Sequence, residues 1–128
     1  MALDYGAART GVAISDATGT LARPVTVVER AATATGLRRL AELVAAEEAE
    51  RIVVGLPLTL RGAAGAQAEE TERFVAALRR AVSVPVEQFD ERFTTALAAR
   101  STSAKAPEDA RAAAHLLESY LAWSTDRA

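Results

Sequence analysis

The stretch LDYGAARTGVAISD, residues 3–16, decides how this chain is read. Two largely apolar segments, 2–5 and 10–15, flank GAAR, with Gly6 and Gly11 bracketing the connection, so they read as paired antiparallel strands. An aspartate, Asp4, stands inside the first of them. Strands deplete Asp in favour of β-branched and aromatic residues, so the acid needs a reason. It could be an edge charge facing water, which antiparallel sheets often carry. The other reason is chemistry, and the choice depends on what the rest of the chain brings near it.

Working outward, DATGT at 16–20 reads as a second turn and LARPVTVVE as a third strand. Pro24 cannot donate to a ladder, which puts that strand at an edge or delays its regular part until after the proline. From Thr35 the period lengthens: Leu37, Leu40, Ala41 and Val44 repeat at helical spacing, and the pattern runs on through AAEEAE to Glu50. RIVVGLP at 51–57 is a short continuous apolar run, the pattern of a strand covered on both faces in a parallel arrangement. Residues 66–81 read as a helix with acids in its early turns, 84–89 as a strand, and 94–100 as a short helix. Pro107 then opens a last helix, where its missing N–H costs nothing. The order β-β-β-α-β-α-β-α predicts an α/β fold: a mixed five-stranded sheet, antiparallel meander first and parallel strands after, with helices on both faces.

At 128 residues and 50% hydrophobic, the chain can bury a core as a single domain spanning 1–128. It has no cysteine, which excludes disulfides, thiolate zinc sites and cysteine nucleophiles. No apolar run approaches the ~20 residues of a membrane span, and no basic-then-apolar leader opens the sequence. The expectation is a cytoplasmic protein with no membrane partner. A formal charge of −2 means that any polyanionic partner must use a local basic patch.

Three acidic positions invite a chemical reading. Asp4 is the first. The second is the pair Asp90 and Glu91 in DERFTT at 90–95, directly after a strand, where Asp90 or Thr94 could cap the next helix. The carboxyl ends of strands in open α/β sheets are also where ligands collect. The third is Asp109, four residues before Ala113 in the stripe Ala113, Leu116, Leu117, Tyr120, Leu121, so it extends the core-facing side of the last helix towards its start. Glu108 and Glu118 are expected to point elsewhere. As a first-turn acid, Asp109 would also suit the helix dipole.

Carboxylates gathered from a central strand, a strand exit and a helix start repel one another and need a counter-charge. Mg²⁺ or Mn²⁺ supplies it, because hard cations take oxygen ligands. Two such ions about 3.5–4 Å apart can clamp the attacking water and the leaving oxygen of a phosphodiester. Neighbours on an extended segment face opposite ways, so Asp90 and Glu91 compete for the third position. GLPLTLRGAAG at 55–65 lacks the Lys-Ser/Thr of a P-loop. It reads instead as a loop lining the site, with Arg61 reaching a phosphate. His115 lies off the Asp109 stripe and reads as a surface or satisfied histidine, and Trp123 as packing.

At these residues the sequence resembles the YqgF/RuvX family, Holliday-junction-resolvase-like proteins also described as pre-16S rRNA nucleases, which have an RNase H-like fold. LDYGAARTGVAISD is similar to that family's opening strand pair, IVVGLPLTLRGAAGAQAEETERF to its central strand and loop, DERFTT to its strand-exit motif and EDARAAAHLLESYL to its closing helix. The match covers nearly the whole chain in one order. The resemblance implies that Asp4, Glu91 and Asp109 form a metal-binding catalytic triad with Asp90 adjacent, and that Arg9 and Arg92 are motif residues near it. Contact of Arg9, Arg61, Arg92 and Lys105 with substrate phosphate is our inference. Ala8 stands where the family commonly has a basic residue, and the segment between DERFTT and Asp109 is shorter and less basic than usual.

The leading expectation is therefore a Mg²⁺- or Mn²⁺-dependent endonuclease, with two ions, acting on structured RNA or branched DNA. One alternative is a catalytically weak nucleic-acid-binding module of the same fold that works through partners. Another is a sugar-kinase or actin-like ATP-binding fragment, because DYGAARTGVA also resembles the phosphate-contacting hairpin of that group. No feature marks a dimer face, which leaves monomer and homodimer open.

Overall fold

A computed structural model describes residues 1–16, 19, 21–56, 66–90 and 108–127. The elements run β1 (Ala2–Asp4), β2 (Arg9–Ser15), β3 (Ala22–Glu29), α1 (Ala34–Ala46), β4 (Ile52–Leu56), α2 (Ala66–Ala81), β5 (Val86–Asp90) and α3 (Glu108–Arg127). The strands form one sheet in the order β3-β2-β1-β4-β5. The first three are antiparallel neighbours, whereas β4 runs parallel to β1 and β5 parallel to β4. The expected α/β fold is present, with β1 in the centre. The short helix expected at 94–100 lies outside the described residues.

Pro24 behaves as its chemistry requires. It sits in β3 at the sheet edge, paired with Ala13 just after a register shift between Val12 and Ala13. The alternation along β1 and β2 sorts side chains by size. Leu3, Val12 and Ile14 face α1 and α2, where they pack with Leu40, Leu43, Phe74, Val75 and Leu78. Ala2 and Ala13 face α3 and meet Ala113, Ala114, Leu116, Leu117 and Tyr120, together with Val53 and Phe89. Small residues on both sides of that second layer let α3 lie close to the sheet, across β1, β2 and β3.

Two expectations are corrected. The helix expected to reach Glu50 stops at Ala46. Glu48 adopts φ 53, its N–H bonds back to the Ala45 carbonyl at 3.3 Å, and the Ala49 N–H reaches the Val44 carbonyl at 3.0 Å. That is a Schellman turn with glutamate where glycine is usual, so the stop carries no sequence signal. Glu118, expected to point away from the core, is 9% exposed and accepts the Ala22 N–H at 3.3 Å. Because α3 spans β3 as well as β1 and β2, it covers a wider stripe than its apolar residues mark.

Candidate active site

Asp4 is the last residue of the central strand, half-buried, and its register partner on β2 is Gly11. The alternation that turns Ala2 towards α3 turns Asp4 the same way. Asp109 lies in the first turn of α3. The two meet because Gly11 has no side chain: a Cβ there would stand 1.8 Å from the Asp109 carbonyl oxygen and 2.8 Å from the Ala110 nitrogen. The start of α3 therefore rests on the bare backbone of β2, beside Asp4. Glycine in a strand interior is the sequence mark of such a close approach. Reading Gly11 only as a bracket of the turn missed it.

Burial, and then the negative charge of Asp109, raise the Asp4 carboxyl above its ordinary value of 3.8. Asp109 has one cationic partner among the described residues. Arg9, the first residue of β2, places Nε 3.2 Å from its Oδ2, with the arginine side chain 66% exposed. The turn between β1 and β2 is tight at Gly6, where a Cβ would lie 2.6 Å from the Arg9 carbonyl oxygen, and this fixes where Arg9 emerges.

Tyr5, the next residue after Asp4, faces the opposite layer. It stacks on Phe74 at 4.3 Å and donates to Glu70 Oε1 at 3.1 Å. Burial and the Glu70 hydrogen bond push its phenol up to about 12, so it stays a neutral donor. This link between the end of β1 and the start of α2 had no sequence signal, because it joins two half-exposed polar residues on elements far apart in the chain.

Asp90 closes β5, level with Leu56 at the end of β4, so its backbone lies at the same carboxyl end of the parallel strands as Asp4. Glu91, Arg61, Arg92 and Lys105 lie outside the described residues. Among the described residues no group of three His, Asp or Glu side chains is placed to hold a metal. Asp4 and Asp109 nonetheless offer hard oxygen donors, and the raised Asp4 carboxyl is short of positive charge. Both features suit a divalent cation. Trp123 packs at 5.6 Å from Phe89 and 6.0 Å from Tyr120, and so belongs to the α3 layer.

The model of the family described as "RuvX: Holliday junction resolvase" matches residues 1–123. The chain belongs to the RuvX family. A Chloroflexus aurantiacus protein named "Putative pre-16S rRNA nuclease" is 41% identical over 129 residues, spanning 94% of this chain and 84% of the relative. A Mycobacterium tuberculosis protein of the same name is 42% identical over 130 residues, covering 94% of this chain and 76% of its own. Among solved structures, "T. thermophilus RuvC in complex with Holliday junction substrate" superposes with a TM-score of 0.66 at 16% identity, over 97% of this chain and 92% of that one. The RuvX-family chain thus has the expected RNase H-like fold. Among its described residues, no helix is long and apolar enough to cross a membrane.

Proposed function

We propose that this RuvX-family chain, folded as one domain, is a cytoplasmic endonuclease that hydrolyses phosphodiester bonds in structured nucleic acid, with Mg²⁺ or Mn²⁺ held by Asp4, Asp109 and Glu91. The observation that carries the reading is the meeting of Asp4 and Asp109 over Gly11 at the end of the central strand. Family membership and the names of the relatives support the reaction class. Glu91 is preferred to Asp90 because the resemblance to the RuvX family assigns it, with Asp4 and Asp109, to the acidic triad.

When bound, the metal supplies an activated water and neutralises charge on the phosphate oxygens. The protein's own part is positioning. Asp4 is fixed by the rigid central strand and Asp109 by a helix start that cannot slide towards β2, so the donors are set before the substrate arrives. Arg9 binds Asp109 through Nε, which leaves its terminal nitrogens for a substrate phosphate oxygen.

The test is cleavage of precursor 16S rRNA and of a four-way DNA junction in parallel, with Mg²⁺ and with Mn²⁺, by wild type and Asp4→Asn. Metal-dependent cleavage of either substrate, abolished by the substitution, is expected. Cleavage that survives Asp4→Asn refutes the assignment of the site, and RNA binding without Mn²⁺ binding or cleavage would make the chain a binding module.

A further inference from the structure

Helix α1 is charged in the reverse of the usual sense. Acids near a helix start and bases near its end complement the helix dipole. Accordingly α2 has Glu69 in its first turn and Arg79 and Arg80 in its last, and α3 opens with Glu108 and Asp109. By contrast, α1 has no acid in its first turn and no base in its last. Arg38 and Arg39 stand exposed early in it, and Glu47 and Glu48 follow its end. Glu47 is tied to β3 by Arg23 at 2.9 Å, whereas the helix dipole rewards neither Arg38 nor Arg39.

The start of α1 abuts Arg30, which follows β3 beside the candidate site. The Arg30 N–H bonds to the Ala8 carbonyl at 3.0 Å, and Glu29 is the register partner of Arg9. The Arg30 carbonyl accepts the Thr33 N–H at 3.0 Å and the Thr33 hydroxyl at 2.7 Å. It also lies 2.3 Å from where a Gly36 Cβ would be. These contacts hold Arg30 at φ 48, a region that favours glycine or asparagine. Its exposed guanidinium has no ion pair among the described residues, and neither have those of Arg38 and Arg39. Glu29 and Glu42 are the acids nearest them in sequence.

We infer that Arg30, Arg38 and Arg39 continue from Arg9 as a phosphate-binding track, which seats the backbone of the nucleic-acid substrate across the β3 edge and the start of α1. This inference rests on the proposed nuclease reading for the nature of the ligand. A polyanion is the partner that rewards unpaired, exposed arginines at the end of β3 and in the early turns of α1, on a chain whose net charge is −2.

The experiment measures binding of a structured RNA and of a four-way DNA junction, without divalent metal, across 50–200 mM KCl, with cleavage assayed separately in Mn²⁺. Arg30→Gly keeps the left-handed turn without steric cost. Arg38→Gln with Arg39→Gln preserves an exposed helical surface. Arg80→Gln removes one charge from the last turn of α2 as a control. Each track arginine removed should flatten the logarithmic salt slope by about 0.7–0.9. The affinity lost between 50 and 200 mM salt should then shrink about threefold per arginine, with Arg80→Gln unchanged. A slope equal to that of Arg80→Gln, or a wild type that binds neither ligand, overturns the track. If the wild type cleaves but the slope does not move, the track alone fails. If the slope falls as expected but nothing is cleaved, the track stands and the nuclease reading fails.

Discussion

Replacing Gly11 by alanine adds one methyl group at the point where α3 meets the sheet. The new Cβ would lie 1.8 Å from the Asp109 carbonyl oxygen and 2.8 Å from the Ala110 nitrogen, backbone atoms that move only with their helix. Carbon–oxygen contacts settle near 3.4 Å, so the first turn of α3 must retreat by roughly 1.5 Å. Overpacking of this kind costs about 1–3 kcal/mol. For a domain of this length that lowers Tm by roughly 4–10 °C. The effect on cleavage is larger, because moving a reacting group by about 1 Å can cost on the order of 100-fold in rate. The sign is diagnostic. Gly11 does not have a left-handed backbone, so without the clash an alanine would stabilise the strand by about 0.4–1 kcal/mol. Thermal unfolding and Mn²⁺-dependent cleavage, measured on one preparation, decide the matter. A Gly11→Ala protein that melts at or above the wild-type Tm and cleaves within about twofold of it would refute the close approach.

Asp4→Asn should raise the stability of the metal-free protein at neutral pH while abolishing cleavage. The Asp4 carboxyl is raised above its unfolded value of 3.8, so its favourable contribution is present below that pH and is lost as pH rises through the folded value. In EDTA the Tm advantage of the asparagine variant should therefore shrink as pH falls from neutral through the raised folded value towards 3.8, and an advantage independent of pH would contradict this account. Arg9→Gln breaks a largely exposed ion pair and should change stability by under about 1 kcal/mol in denaturant melts. Its cleavage rate should nevertheless fall, and equal kcat/KM for the two proteins would remove Arg9 from the site. Glu48→Gly should raise stability by about 1 kcal/mol, since it removes both a left-handed side chain and an acid beyond the end of α1. An unchanged denaturation midpoint would contradict the turn assigned there.

The parts of the fold that were legible in advance were those that repeat along the chain. The switch from strand to helical period from Thr35, the apolar run IVVGL and the stripe of α3 each state a local rule many times over, and Pro24 has few places to go in a sheet. Asp109 was legible for the same reason: it continues the stripe. What was hidden depends on a single contact between remote segments. The role of Gly11 exists only because α3 crosses β2 at that point, Tyr5 finds Glu70 across two layers, and Glu118 is buried by β3 rather than by its own helix's pattern. Glu48 and Arg30 were hidden differently. Each adopts a backbone conformation that its side chain disfavours, so propensity pointed away from both.

The two carboxylates over Gly11 come from the first strand and the last helix described, far apart in sequence, and this has a bearing on synthesis. A ribosome releases β1 first and α3 last. Until the final helix docks, a nascent chain carries Asp4 without Asp109 and so has only part of the proposed site. The proposed site would thus be assembled only after α3 has left the ribosome and docked on β2, so its two carboxylates meet late in synthesis.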